Sequence, residues 1–322
     1  MANTRLRLDP WPADYDSPIQ MDGFDDEADA RVDTAVEGIG WKVVECPRRE
    51  RPEPIHFVDG VRRVEARVIL DDGSTRLIRG LFGSVAAGAV RVQRNRAEFE
   101  ALSVGRFLVA SSGVTPEAES LAMANTTLTF HPRCVPTGDP PAPLQGLQNL
   151  MREQEAMIAQ ALAAGSACVF ADGPLTYFTS TDLPAVGVVK RLFKPYLSLA
   201  AFGLVQQLGI GQRTPVFSIT DSKYDRYSWY LRVGKPRAMD HDIAGVLRLE
   251  VRSGVGLKRA VELANLSAAC IPAFVAESFR DPRAPQNLLP VGALEQELRH
   301  RLGDPLSIRR AIEAKLFAET KQ

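Results

Sequence analysis

The chain has 322 residues, of which 45% are hydrophobic, and 39 acidic residues balance 39 basic ones. This length fits one large α/β domain or two small ones, and the zero net charge argues against a strongly basic nucleic-acid binder. No apolar stretch approaches the roughly 20 residues of a membrane-spanning helix, and the first residues lack the apolar segment of a secretory signal. Four scattered cysteines without a CxxC pair argue against a zinc site or a disulfide framework. We therefore expect a cytoplasmic protein.

The charge is distributed unevenly along the chain. Residues 1–40 contain ten acidic and three basic residues, which leaves a formal charge of +7 on the rest. We expect residues 1–50 to form an acidic arm, or a short amphipathic helix at Glu27 to Val43, rather than core, and to dock on a partner. The body that follows, residues 51–322, carries enough positive charge to hold a phosphate backbone locally.

Apolar runs predict a hairpin-rich sheet that begins at Ile55. IHFVD is one short strand, VRRVEARVIL a second, and a DDGS turn leads into a third that either ends or continues as a fourth. A strand at Arg106 to Ser111 and a Pro-rich loop at residues 136–146 follow.

The second half alternates helices and strands. A helix from Leu147 to Gly165 has an inward face at Leu147, Met151, Ile158 and Leu162, and a buried strand then ends at Asp172. The remaining predicted elements are helices at 197–208, 257–274, 291–301 and 306–319, and strands at 215–219, 227–233 and 245–251.

Three Asp-Gly pairs differ in their surroundings. Asp72-Gly73 joins two alternating runs, as a hairpin turn does. Asp59 and Asp172 instead each end an apolar run, and functional side chains often converge at the tips of strands. Either aspartate taken alone is as easily a simple turn former, but the two together indicate a site.

A third carboxylate is available on the helix before Asp172. Glu155 shares the inward face of Met151 and Ile158, whereas Glu153 lies roughly 200° from Met151. We therefore favour Glu155, with Glu153 as the alternate; a solvated surface glutamate is nearly as good an interpretation. Carboxylates without cysteine suit Mg²⁺ or Mn²⁺, and a pair of such ions hydrolyses phosphodiesters.

The order of these motifs resembles the NurA nuclease family over roughly residues 55–300. The resemblance is carried by Val58-Asp59-Gly60, a Glu-bearing helix, Phe170-Ala171-Asp172-Gly173-Pro174-Leu175, and then GVVKR (187–191), SWYLR (228–232) and LRLE (247–250). It implies an RNase H-like α/β fold, a mixed β-sheet flanked by helices. It also implies a manganese-dependent single-strand endonuclease and 5′-3′ exonuclease. Such nucleases act as homodimers with the hexameric ATPase HerA in DNA end processing.

The resemblance assigns roles to individual residues. Asp59, Glu155 and Asp172 match metal ligands, and Lys190 matches the family's lysine after the Asp-Gly-Leu strand. We expect Lys190 to contact the scissile phosphate as a point charge, although a surface lysine is an equal alternative. The chain departs from the family where a late His or Asp is expected. Glu295, in the first turn of a helix after Pro290, is the substitute that we favour, with Asn287 and His300 as weaker candidates.

Basic and aromatic residues suggest a path for nucleic acid. These residues are Arg191, Lys194, Arg226, Tyr230 and Arg232. Arg226, Tyr230 and Arg232 lie on or directly beside one predicted strand, and this strand is nearly as well explained as part of the hydrophobic core with an exposed basic face. GVGLKR at 254–259 lacks the GxxxxGK[ST] pattern, which excludes a phosphate-binding loop of that type.

Two other functions remain open from the sequence. One is a catalytically weak subunit that binds DNA and a HerA-like ATPase. The other is an actin-like or sugar-kinase phosphotransferase, since such proteins also place Asp-Gly turns at the tips of strands.

Overall fold

The computed structural model describes residues 5–8, 30–46 and 51–319, with gaps at 72, 74–75, 125, 166–167, 191, 193–195, 222, 239, 278, 280 and 282. The strands are β1 Arg5–Leu8, β2 Arg31–Asp33, β3 Val44–Glu45, β4 Ile55–Asp71, β5 Ile78–Gln93, β6 Arg96–Ala110, β7 Glu119–Ala122, β8 Thr127–Cys134, β9 Val169–Asp172, β10 Ala185–Val189, β11 Gln212–Arg213, β12 Phe217–Thr220, β13 Arg226–Arg232 and β14 Val246–Arg252. The helices are α1 Ala142–Gly165, α2 Leu199–Gln207, α3 Leu257–Cys270, α4 Leu289–Arg301 and α5 Pro305–Glu319, with 3-10 turns at Ser253–Val255 and Ile271–Phe274.

Five strands form the centre of the sheet in the order β6-β5-β4-β9-β10. β4, β5 and β6 pair antiparallel as a meander. The chain then crosses over through α1, so that β9 lies parallel to β4 and β10 lies parallel to β9. An antiparallel meander followed, after α1, by two parallel strands is the RNase H-like arrangement, and the predicted fold class is confirmed.

The sheet extends on both sides of this centre. Beyond β10 the order is β14, β13, β12 and β2, all antiparallel. Beyond β6 come β8 and β7. The sequence predicts β12, β13 and β14 as separate strands but not as neighbours of β10, and it does not predict β2, β7 or β8 as strands.

Helices cover both faces of the sheet. The alanines of α1 pack on Val58 and Ala171, while α3 packs on a cluster that includes Phe57 and Phe170. The apolar side of α4 contacts Val61 on that second face. Residues next to each other in β4 therefore face different helices, as the period of two in a strand requires.

The long hairpin of β4 and β5 differs from the prediction. The runs IHFVD and VRRVEARVIL are one 17-residue strand, and Asp59-Gly60 lies inside it rather than in a turn. Asp71 ends β4, Gly73 has a φ of 76° and β5 begins at Ile78, so β4 and β5 form a hairpin as predicted; Asp72 itself lies outside the described residues. The third run and its continuation form one strand, β5.

The N-terminal segment is the other difference. The predicted helix from Glu27 to Val43 is wrong for the described residues 30–46, which form β2, turns and β3. β1 pairs with the far end of β4, and β3 pairs with β11. The docking role of this segment stays a prediction.

The other predicted helices and strands are present, most with bounds shifted by a few residues. The strand predicted at Arg106 to Ser111 is the end of the longer β6, Arg96–Ala110. The Pro-rich loop is shorter than predicted because α1 begins at Ala142, and the helix predicted for 257–274 ends at Cys270 and continues as a 3-10 turn. Within the described ranges, we find no helix that combines the length and the apolarity needed to cross a bilayer.

Candidate active site

Asp59 lies in the interior of β4, opposite Gly88 of β5. Pairing between β4 and β9 ends just before it, at Val58 and Ala171. The prediction that Asp59 ends its strand is therefore wrong, but the residue does lie where β4 loses its neighbour β9. Its side chain is 4% exposed.

Asp172 is the last residue of β9, as predicted. Gly173 follows with a φ of 86°, and its N–H donates to the Val188 carbonyl at 2.9 Å. Because Val58 pairs with Ala171 on parallel strands, Asp59 and Asp172 occupy neighbouring positions at the end of this ladder. The two aspartates that the sequence singled out are thus brought together.

Glu155 approaches Asp59 from α1, on the other face of the sheet, and its charge acts on Asp59. It is buried, whereas Glu153 is exposed, so helical spacing chose the inward residue correctly. Gly60 makes room for it, since a Cβ at that position would lie 2.6 Å from Glu155 Oε1 and 2.9 Å from Met151 Cγ. A glycine in the middle of a strand here marks a close approach by another element.

Arg152 links the helix to the end of β9. One guanidinium nitrogen, Nη1, donates to Glu155 Oε2 at 3.0 Å and to the Asp172 carbonyl at 2.9 Å. Sequence reasoning missed this residue, although its spacing of three from Glu155 on a helix is typical of an ion pair.

The carboxyl group of Asp59 lies in a strongly acidic environment. Burial raises its pKa well above the usual value, and the negative charges of Asp172, Glu155 and Glu295 raise it further, while Lys190 lowers it. The other three carboxylates are therefore within electrostatic reach of Asp59.

Lys190 lies among these carboxylates and is not a surface lysine. Its Nζ is 2.8 Å from Asp172 Oδ1 and donates to Asn287 Oδ1 at 2.9 Å. Burial alone would lower its pKa, but the attraction of Asp172, Asp59 and Glu295 outweighs burial and raises it. The ammonium group is thus held in its charged form.

Glu295 and Asn287 come from α4 and the segment before it. Glu295 lies in the second turn of α4, not the first, and accepts from Arg283 at 2.7 Å and from Arg299 at 3.0 Å. Asn287 is buried beside Lys190. The third late candidate, His300, is exposed in the last turn of α4.

Asp281 completes this side of the site and was missed by sequence reasoning. It accepts a hydrogen bond from Asn287 Nδ2 at 2.6 Å and several from Arg283. Burial raises its pKa, but these hydrogen bonds outweigh burial and lower it to about 2. No local motif distinguishes it from other loop aspartates.

Within the described part of the chain, no three His, Cys, Asp or Glu side chains converge closely enough to surround one metal ion. Cationic side chains lie against the carboxylates instead: Arg152 on Glu155, Lys190 on Asp172 and Arg283 on Glu295. The donor set nevertheless consists of carboxylate oxygens, which suits a hard divalent cation.

The structure buries the three β13 residues that are predicted to contact nucleic acid. Tyr230 is fully buried, and Arg226 is buried against Asp221 and Glu250. Arg232 is buried and donates to the Leu208, Ala244 and Asp242 carbonyls. These side chains pack in or against the core, and their contact with nucleic acid stays a prediction; Arg191 and Lys194 lie outside the described residues.

Comparison with known proteins adds two distant likenesses. Two nucleases match over most of the chain. One is the NurA nuclease from Sulfolobus solfataricus, with 12% identity and a TM-score of 0.49, over 87% of this chain and 88% of that one. The other is the catalytic domain of human endonuclease V, with 17% identity and a TM-score of 0.35, over 81% and 92%.

No protein-family model and no curated protein matches the chain. At identities of 12% and 17%, these two structures assign neither an activity nor a partner to this chain. The RNase H-like fold is identified from the strand order of this chain itself.

Proposed function

We propose that the protein is a metal-dependent deoxyribonuclease. The observation that carries this proposal is that Asp59 and Asp172 lie together where the pairing of β4 with β9 ends. Glu155 on α1 and Glu295 on α4 are within electrostatic reach of Asp59. Four carboxylates in a largely buried position repel one another, and a divalent cation would offset that repulsion.

The donor set supports Mn²⁺ or Mg²⁺ as the cofactor, because these ions prefer oxygen ligands. Asp59, Glu155, Asp172 and Glu295 would hold it. When bound, such ions activate water and neutralise charge on the phosphate that is transferred. The salt bridges from Arg152, Lys190 and Arg283 must rearrange for these carboxylates to serve as ligands.

The chain's own residues supply the other roles. Lys190 is the cation nearest Asp172 and would donate to the scissile phosphate as a point charge. Arg152 would keep Glu155 and the end of β9 in register. Arg191 and Lys194 remain proposed contacts for the strand that is cut.

The finer features follow the resemblance to NurA proteins. They are single-strand endonuclease and 5′-3′ exonuclease activity, a homodimer, action with a HerA-like hexameric ATPase in DNA end processing, and a cytoplasmic location. The polarity and the pathway come from this resemblance alone.

The test compares Asp59→Asn with the matched variant Asp71→Asn, which lies in the same strand but is exposed. Wild type and Asp71→Asn should cleave end-labelled single- and double-stranded DNA when Mn²⁺ is present and not in its absence. Asp59→Asn should lose at least about a hundredfold in rate, since a ligand is removed. Wild-type activity in Asp59→Asn would overturn the proposal.

A second candidate is a catalytically weak subunit that binds DNA and the ATPase. The observation in its favour is that Glu155, Asp172 and Glu295 each bond to a cationic side chain. This candidate predicts a stable complex with a HerA-like ATPase and no cleavage by wild type with either metal. The same assay therefore separates the two.

A further inference from the structure

The surroundings of Lys190 contain two side chains that are not among the proposed ligands. Asn287 is 1% exposed, and its amide oxygen accepts from Lys190 Nζ at 2.9 Å. Its amide nitrogen donates to Asp281 Oδ2 at 2.6 Å. Both ends of the amide are therefore occupied within one buried position.

These contacts fix which way the amide points. Its oxygen faces an ammonium group and its NH₂ group faces a carboxylate, so a flip would set donor against donor and acceptor against acceptor. Asp281 is held in turn by the backbone N–H and the guanidinium group of Arg283. The orientation of Asn287 is thus imposed from the side away from Lys190.

The chain of contacts runs from α4 to the end of β9. Arg283 bonds to both Glu295 and Asp281. Asp281 accepts a hydrogen bond from Asn287, which accepts one from Lys190. Lys190 in turn forms an ion pair with Asp172. Lysine has a long flexible stem and three rotatable donors, so its ammonium group has no fixed position without such partners. Two partners at under 3 Å confine it.

We infer that Asn287 is a positioning residue, oriented by Asp281, that holds the ammonium group of Lys190 at Asp172. This inference rests on the proposed nuclease function for its effect on rate. The geometry of Lys190 itself is tested separately, so that failure of one is distinguishable from failure of the other.

The first experiment measures positioning without activity. Wild type and Asn287→Leu are treated briefly with acetic anhydride, and mass spectrometry gives the acetylated fraction of Lys190 relative to Lys258. Loss of the amide contact should free the amine and raise the relative labelling of Lys190 severalfold. Unchanged labelling in a folded variant would overturn the inference, whether or not the protein cleaves DNA.

The second experiment is a double-mutant cycle on cleavage with Mn²⁺. Asn287→Leu should lower kcat by about ten- to hundredfold in the wild-type background, the range expected for a hydrogen bond to a charged group. In a Lys190→Gln background it should lower kcat no further, because Asn287 acts through Lys190. An equal loss of kcat in both backgrounds would show that Asn287 does not act through Lys190 and has only a structural role.

A matched control guards against general destabilisation. Asn265 also presents its amide oxygen to a buried cation, since it accepts from Arg213 Nε at 2.9 Å away from the site. Asn265→Leu should lower the melting temperature but leave kcat per folded molecule and the labelling of Lys190 unchanged. If it lowers kcat as Asn287→Leu does, the effect is not specific to Lys190 and the inference fails.

Discussion

The carboxyl group of Asp59 is buried among three other carboxylates, an arrangement that disfavours its charged form. Its folded-state pKa is raised by burial and then by Asp172 and Glu155, and Lys190 compensates only in part. A group of this kind favours the folded state most when it is protonated, so the site lowers the stability of the protein at neutral pH.

This leads to a prediction about stability and pH. Asp59→Asn, which mimics the neutral carboxyl group, should be more stable than wild type at pH 7 in metal-free buffer. The advantage should shrink as the pH falls through the folded-state pKa, and vanish below the unfolded-state pKa of about 3.9, where Asp59 is protonated in both states. Thermal unfolding from pH 3 to pH 8 measures it. The free energy of unfolding of Asp71→Asn should stay within about 0.5 kcal/mol of the wild-type value at every pH. If Asp59→Asn is less stable than wild type at pH 7, the prediction is wrong.

For individual residues, the sequence predicted which carboxylates come together but not which other side chains contact them. Asp59, Asp172 and Glu155 were identified from strand ends and helical spacing. Arg226, Tyr230 and Arg232 were assigned to nucleic acid because their strand alternates basic and aromatic residues. Arg226, for example, pairs with Glu250 on another strand, and a local pattern does not contain that information.

The junction between β9 and the turn after it is the element on which the site depends. β9 has four residues and ends at Asp172, while β4 continues far beyond it. Gly173 turns the chain with a positive φ, and a Cβ there would lie 2.7 Å from Arg152 Nη1. Both features allow α1 to reach the carboxylates.

Gly173→Ala should therefore be costly for two reasons. The positive φ alone costs an alanine about 1–2 kcal/mol, and the new methyl group would also displace Arg152. Gly113→Ala is the matched control, since Gly113 has a φ of 73° and a Cβ there would meet nothing within 4 Å. Urea unfolding should show a larger loss for Gly173→Ala, together with reduced cleavage. Equal losses and equal activities would show that the contact with Arg152 has no effect.

The sequence predicted β9, α1 and the later helices because each has a clear hydrophobic pattern and ends at residues that are typical of helix or strand boundaries. It missed the continuity of β4 because an Asp-Gly pair after an apolar run is also typical of a turn. Only the approach of Glu155 explains why a glycine stands at position 60 inside a strand.

At the scale of the molecule, the RNase H-like centre is one part of a wider sheet. Strands from residues 30–46 extend that sheet, and Glu37 anchors the segment. Its carboxylate accepts from Arg213 at 2.7 and 2.9 Å and from the Val216 N–H at 2.5 Å. Arg213 is 1% exposed. The N-terminal segment is thus joined to the core by a buried ion pair.

Glu37→Gln should lower the free energy of unfolding by about 3–5 kcal/mol, because it leaves the buried Arg213 without its counter-charge. Glu45→Gln is the control, since Glu45 belongs to the same segment but is exposed and accepts only a 3.3 Å bond from Gln212. Denaturant unfolding measures both. A Glu37→Gln protein as stable as Glu45→Gln would mean that the segment contributes little to the fold.

The wide separation of the site residues along the chain bears on when activity can appear. Asp59 comes from the first long strand, and Glu295 and Asn287 come from the penultimate helix and its approach. Contacts between such distant positions form late in folding because loop closure must come first. On the proposed function, a nascent or partly folded chain would hold the first aspartate without its partners, and nuclease activity would appear only after the chain has folded.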